Sequence, residues 1–281
     1  MTRTGKSHIA GVFGWPVDHS RSPRLHGYWL KQFGIDGAYI PFSTHPSKLE
    51  QAVRALPALG FRGGNVTLPH KERALALVDE ATPRAQRIGA VNTLIVREDG
   101  TILVDNTDAF GFIANLKQMQ PAWRTAAGPA VVLGAGGAAR AVVVALLDEG
   151  VPELRLINRT TRRAEEIAAA VGGPIKVVPW GARAEALKDA GLLVNSTILG
   201  QAGQAALELD LAHLPPRATV YDIVYVPLLT ELLRAAQTRG NPTVDGIGML
   251  LHQARPGFKA WFGQDPQVTP ELRAFVLGNN R

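Results

Sequence analysis

Along the first third of the chain, short apolar stretches recur at 9–13, 38–40 and 65–68, separated by polar segments of helix length. Strands that alternate with helices are the pattern of α/β architecture. Two further apolar stretches, 93–96 and 101–104, flank Asp99-Gly100. That dipeptide supplies the positive backbone dihedrals of a tight hairpin turn, so an antiparallel pair is expected there.

From Ala130 the rhythm becomes a regular succession of strand and helix, with strands at 130–133, 154–157, 175–178, 192–194 and 219–223. Five strands joined through helices imply a parallel sheet. After 242–244, Gly246 opens helical sequence that runs to the end, with Thr269 as an N-cap and Pro270 at the first helical position. The change of pattern near Asp108 predicts a two-domain α/β protein: residues 1–107, residues 108–245, and a set of terminal helices, 246–281.

Composition narrows the class. Apolar residues make up 46% and charged residues 19% of 281, which suits a folding chain with a sizeable core. There is no cysteine, which removes disulfides and thiolate chemistry and fits a reducing cytoplasm. The seven histidines show no compact ligand spacing, so no metal is expected. Residues 1–6 lead into an apolar run too short for a signal-peptide core, and no run reaches membrane-spanning length; a soluble protein without membrane attachment is expected. The net charge of +6 comes from dispersed residues rather than a basic block, so nucleic acid ranks last among partners. Arg155, Arg159, Arg162 and Arg163 do cluster, which suits a phosphorylated small molecule.

The apolar strand Val131-Val132-Leu133 runs into Gly134-Ala135-Gly136-Gly137-Ala138 and then an apolar helix. Strand, glycine turn and helix together bind a pyrophosphate, because glycines allow close approach and uncapped N–H groups and the helix dipole favour negative charge. A flexible Gly/Ala loop would look the same from the glycines alone. The next strand separates the two readings. Where an NAD-binding domain places an acid for the ribose 2′-hydroxyl, this chain has Asn158, Arg159 and Thr160. An amide, a guanidinium and a hydroxyl match a 2′-phosphate, so NADP(H) is expected; Arg163 adds a second charge or is a solvated helix-face residue.

Four polar segments precede that turn: Ser20-Arg21-Ser22-Pro23, Asn65-Val66-Thr67-Leu68-Pro69-His70-Lys71, Gly89-Ala90-Val91-Asn92-Thr93 and Asn106-Thr107-Asp108. Two spaced serines suit an anion, yet Ser22 before Pro23 also reads as a helix N-cap. Taken together and in order, the four segments resemble the shikimate dehydrogenase family. Downstream, Asn195-Ser196-Thr197, the stretch from Asp222 through Tyr225 to Pro227, and the stretch from Asp245 to Ala254 extend the resemblance over almost the whole chain.

The resemblance implies an N-terminal substrate-binding catalytic domain completed by the C-terminal helices, an inserted Rossmann-type NADP-binding domain, and an active site in a cleft between them. It implies that Ser20, Ser22 and Tyr225 hold a substrate carboxylate, that Thr67, Asn92, Asp108 and Gln253 bind ring hydroxyls, and that Lys71 and Asp108 form the catalytic pair. Ile223 and Gly246 would join the glycine turn in cofactor binding. The implied reaction is NADPH-dependent reduction of 3-dehydroshikimate to shikimate, in chorismate and aromatic amino-acid biosynthesis, by a monomer or homodimer. Alternatives are a quinate/shikimate dehydrogenase with relaxed cofactor use and a non-catalytic dinucleotide sensor. Two residues depart from the family pattern: Gly27, which is expected to alter packing near the serines, and Pro256 in Arg255-Pro256-Gly257, which is expected to kink the closing helix.

Overall fold

The computed structural model describes residues 3–278, so Met1, Thr2 and 279–281 lie outside the described residues. The chain forms two units, Met1–Thr107 with Leu250–Arg281, and Asp108–Met249. The second crossover lies between Met249 and Leu250 rather than between Asp245 and Gly246, inside a helix rather than ahead of it.

In the first unit the elements are β1 (His8–Gly14), α1 (Ser22–Gln32), β2 (Gly37–Ser43), α2 (Leu49–Ala55), β3 (Phe61–Val66), β4 (Glu80–Ala81), α3 (Pro83–Ile88), β5 (Thr93–Val96) and β6 (Ile102–Asp105). They build a mixed sheet in the order β2-β1-β3-β5-β6-β4. β1, β2 and β3 run parallel; β5 lies antiparallel to β3, with Asn65 opposite Thr93, and β6 antiparallel to β5, with Thr93 opposite Asp105. The hairpin forms where expected, but only Gly100 of the dipeptide has a positive φ, +84°; the Arg97 amide donates to Thr101 O at 2.9 Å across a loop of Glu98, Asp99 and Gly100, and Asp99 Oδ1 accepts from the Thr101 amide at 2.9 Å.

β3 begins four residues earlier than its apolar run suggests, at Phe61-Arg62-Gly63-Gly64. These glycines are packing residues. A side chain on Gly64 would strike the Gly11 carbonyl, and one on Gly63 would strike Leu94 O and Trp261 Nε1. The strand stops at Val66, shortly before Pro69, which has no amide hydrogen to give a ladder.

The second unit contains α4 (Asp108–Met119), β7 (Ala130–Leu133), α5 (Gly137–Asp148), β8 (Leu154–Asn158), α6 (Thr161–Val171), β9 (Ile175–Pro179), β10 (Leu192–Asn195), β11 (Thr219–Asp222), α7 (Glu231–Thr238) and β12 (Thr243–Val244). All six strands are parallel, in the order β12-β11-β10-β7-β8-β9. The order reverses between β7 and β10, the switch point where open α/β sheets bind ligands. The core strands β7 and β10 are buried throughout, which is why they read as continuous apolar runs.

α8 (Ile247–Phe262) starts in the second unit and ends in the first, where α9 (Pro270–Leu277) follows; Thr269 caps α9 as expected, its hydroxyl accepting from the Leu272 amide. α8 runs through Pro256, the position of the expected kink, without ending there. Tertiary anchors outweigh the lost amide bond: Phe258 and Trp261 are buried, Trp261 Nε1 donates to Leu94 O at 2.8 Å, and Arg255 Nε donates to Pro266 O at 2.6 Å. Gly257 makes room for this, since a side chain there would meet the Trp261 ring at 2.7 Å. Gly27 disturbs nothing, because a Cβ at that exposed position would have no neighbour within 4 Å.

Candidate active site

In the first unit, strand direction brings the four polar segments to one edge of the sheet. β1 and β3 are parallel, so the segments after them emerge side by side, and the Trp15 amide donates to Leu68 O at 3.1 Å. β5 starts, and β6 ends, at that same edge, which places Asn92 and Asn106-Thr107 beside Asn65. Gly14 has no side chain because Thr67 occupies the space, and the Thr67 amide donates to Phe13 O at 2.9 Å.

The polar groups at this edge are tied together. Asn92 Nδ2 donates to Gln253 Oε1 and to Thr107 Oγ1, both at 3.0 Å, and Asn92 Oδ1 accepts from the Thr107 amide at 2.8 Å. Asn65 Nδ2 donates to Asn92 O at 2.9 Å, while Asn65 Oδ1 accepts from the Tyr39 hydroxyl at 2.6 Å. Burial pushes the Tyr39 phenol well above its ordinary pKa, so it stays protonated. Tyr39, Asn65, Asn92, Thr107 and Gln253 therefore belong to one buried network. Motif reading missed Tyr39, for no local pattern marks a strand tyrosine whose partner lies 26 residues away.

Ser22 is not the helix cap. Arg21 occupies that position without a capping side chain, and the Ser22 amide donates to Ser20 Oγ at 3.3 Å, leaving the Ser20 proton to be donated elsewhere. His26, on the same helix, is fully buried with both ring nitrogens unpartnered and stacks on Tyr39 at 3.9 Å between centroids. Desolvation drops its pKa to about 3, so it is a neutral ring in an aromatic cluster. Lys71 is half-buried, and its backbone carbonyl accepts from the Val91 amide at 2.8 Å.

In the second unit, the parallel strands place the ends of β7, β8, β10 and β11 along one edge. Two glycines of the turn, Gly134 and Gly136, have different reasons to be glycine. Gly134 has φ +114°, and a Cβ there would lie 2.7 Å from Ser196 Oγ, so the protein itself demands glycine. A Cβ on Gly136 would meet nothing within 4 Å. Gly136 is the N-cap of α5 and has no side chain to cap it, so the N-cap residue leaves the first amides of that helix unclaimed. That arrangement fits a dinucleotide pyrophosphate.

Beside it, Arg159 and Thr160 are exposed, and no hydrogen bond or ion pair of the Arg159 side chain occurs among the described residues. Asn158 Nδ2 donates to Thr160 O at 2.9 Å and shapes the turn that presents them. Arg163 is exposed one turn into α6. The expected four-arginine cluster is smaller in fact. Arg155 is claimed internally by Glu153 at 2.6 Å, Asp189 at 2.8 Å and two carbonyls, and Arg162 pairs with Glu166 at 2.9 Å.

Asp108 is buried at the start of α4. Further along that helix, Asn115 Nδ2 donates to the Tyr221 hydroxyl at 2.7 Å and to Asp245 O at 2.8 Å, and only a glycine at 248 leaves Asn115 its space. Gly246 packs on the Ile223 carbonyl so closely that a side chain would collide with it. Tyr225 lies half-exposed in the segment between β11 and α7.

Residues 12–94 match the model of the shikimate dehydrogenase substrate binding domain, and residues 115–202 match that of shikimate / quinate 5-dehydrogenase. A curated relative from Paramagnetospirillum magneticum, a shikimate dehydrogenase (NADP(+)), is 63% identical over 98% of this chain and 99% of its own. The chain belongs to the shikimate dehydrogenase family. Among solved structures of this family's fold, the shikimate 5-dehydrogenase of Thermus thermophilus in complex with NADP(H) and shikimate has a TM-score of 0.87 and 38% identity, covering 96% of this chain and 99% of that one. The quinate dehydrogenase of Corynebacterium glutamicum in complex with NAD reaches a TM-score of 0.89 at 32% identity, covering 97% and 99%. The two-domain α/β fold with a Rossmann-like sheet is therefore the family fold.

Proposed function

We propose that the chain is an NADP(H)-dependent shikimate dehydrogenase that reversibly reduces 3-dehydroshikimate to shikimate, a step of chorismate and aromatic amino-acid biosynthesis. The observation that carries this reading is the end of β8, where Arg159 and Thr160 stand exposed in place of an acid, beside the uncapped start of α5. Gly134, Ala135, Gly136, Gly137 and Ala138 would take the pyrophosphate, Asn158, Arg159, Thr160 and Arg163 the adenosine 2′-phosphate, and Ile223 and Gly246 the nicotinamide end. When bound, NADPH supplies the hydride.

The residues of the chain supply the rest. Ser20, Ser22 and Tyr225 hold the substrate carboxylate; Thr67, Asn92 and Gln253 take ring hydroxyls, the last two from a network already hydrogen-bonded within the chain. Such preorganisation lowers the cost of orienting the substrate. Lys71 gives a proton to the oxygen that gains charge during reduction and removes it during oxidation, with Asp108 orienting the ammonium and binding the same hydroxyl. Among the described residues no helix is long and apolar enough to cross a membrane. We assign the activity to the cytoplasm, as a monomer or homodimer.

The fold is shared with a protein that acts on quinate with NAD, so substrate and cofactor choice need a direct test. Steady-state oxidation of shikimate and of quinate, each with NADP and with NAD, is expected to favour the shikimate–NADP pair. Preference for quinate or NAD overturns the specificity, and no turnover in any of the four combinations favours a dinucleotide sensor.

A further inference from the structure

Asp222 is the last residue of β11 and is completely buried. Its carboxylate has no cationic partner among the described residues; three neutral donors converge on it. Oδ1 accepts from the Val224 amide and from Asn195 Nδ2, both at 3.0 Å, and Oδ2 accepts from the Thr230 hydroxyl at 2.7 Å. Burying an acid this way costs stability, and desolvation lifts its pKa to about 6. A cost of that kind points to a geometric requirement.

The geometry shows which one. Val224 lies immediately before Tyr225, and Thr230 closes the same turn as the N-cap of α7, its hydroxyl accepting from the Leu233 amide at 3.3 Å. The two oxygens of one carboxylate thus hold both ends of the turn 223–230. Asn195, the third partner, is itself fixed: its Oδ1 accepts from the Thr197 amide at 3.1 Å and hydroxyl at 2.7 Å, and its carbonyl accepts from the Ile223 amide at 3.0 Å. Only a carboxylate accepts from all three donors at once, for an asparagine has one accepting oxygen and must turn its amide nitrogen toward Thr230.

We propose that Asp222 is a positioning residue for Tyr225, holding both ends of the turn that carries it and so setting the affinity for the substrate carboxylate. This rests on the reading of Tyr225 as a carboxylate anchor. Asp222 touches no substrate itself.

The test is steady-state oxidation of shikimate at saturating NADP by the full chain and four variants, with thermal unfolding of each. Asp222→Ala is expected to raise the KM for shikimate about tenfold or more while kcat stays within about threefold, the signature of lost ground-state binding. Asp222→Asn, which keeps the bonds to Val224 and Asn195, is expected to stay within about threefold of the parent KM. Asn241→Ala is the structural reference: this buried amide bonds the Pro215 and Ala218 carbonyls in the same unit, and its loss is expected to lower Tm without moving the KM. Tyr225→Phe reports on the underlying reading. A raised KM in Tyr225→Phe beside an unchanged KM in Asp222→Ala overturns the proposal alone, as does an equal rise in Asn241→Ala. An unchanged KM in Tyr225→Phe overturns the reading of Tyr225 and the proposal with it. Should Asp222→Ala not fold, Thr230→Val removes one of the three bonds and is expected to raise the KM about threefold, with no rise overturning the proposal.

Discussion

The Tyr39 hydroxyl donates to Asn65 Oδ1 at 2.6 Å inside the first unit, where both residues are buried. Tyr39→Phe leaves that oxygen buried without a donor, a loss of about 1–3 kcal/mol. A lower midpoint in urea unfolding is therefore expected, together with a rise in the KM for shikimate that exceeds any change in the KM for NADP. An unchanged midpoint would show that the bond adds nothing.

Gly134 and Gly136 separate the demands of the fold from those of the ligand. Gly134→Ala forces a side chain onto Ser196 at a φ of +114° and is expected to destabilise the protein by about 1–3 kcal/mol or more. Gly136→Ala meets no protein atom, so Tm should hold while the Kd for NADPH rises about tenfold or more. Fluorescence titration and thermal unfolding of the pair check both halves, and parallel behaviour of the two variants contradicts the distinction.

Lys71→Ala is expected to fold and to bind both ligands, since the backbone bond from the Val91 amide to Lys71 O survives the substitution. Turnover should fall about 10²- to 10⁴-fold, the usual cost of removing a general acid–base group. A near-parental kcat excludes Lys71 from proton transfer.

Asp222 makes stability depend on pH with a definite sign. Its folded pKa, about 6, lies above the unfolded value of about 4, so between those values the folded chain binds the extra proton. Its stabilising contribution is complete below pH ~4 and is lost as pH rises through about 6, an effect on the order of 3 kcal/mol. Asp222→Asn cannot ionise, so its Tm minus that of the parent is expected to grow from pH 4 to pH 7. A difference that stays constant over that range refutes the shift.

Gly27 sits in the interior of α1 on its exposed side, with open space where a Cβ would go. Gly27→Ala should stabilise the protein by about 0.5–1 kcal/mol through helix propensity alone, with unchanged kinetics. Denaturant unfolding checks the sign.

Much of the fold is legible because its information is local. β7, β8, β10 and β11 announce themselves as short apolar runs, and the motif segments are visible because strand ends are where glycine, asparagine, serine and aspartate collect. What escapes reading depends on distant partners. Gly63 and Gly64 look like a loop until Gly11, Leu94 and Trp261 are in place around them. That the helix carries on past Pro256 cannot be read locally, because Arg255 and Trp261 hold it on either side through bonds to Pro266 and Leu94. Arg155 looks available for an anion until Asp189, 34 residues on, is found to hold it, and Tyr39 gives no sign of Asn65.

Trp261 bonds Leu94 O across 167 residues of chain and lies against Gly63, Tyr39 and His26. Residues 8–105 of the first unit thus precede the second unit in the chain, yet their aromatic cluster closes only with Trp261, which follows it. The second unit is continuous in sequence. Domains commonly fold in the order they are made. Here the earlier segment cannot complete its packing in that order, because the tryptophan that closes its aromatic cluster follows the whole second unit in the chain.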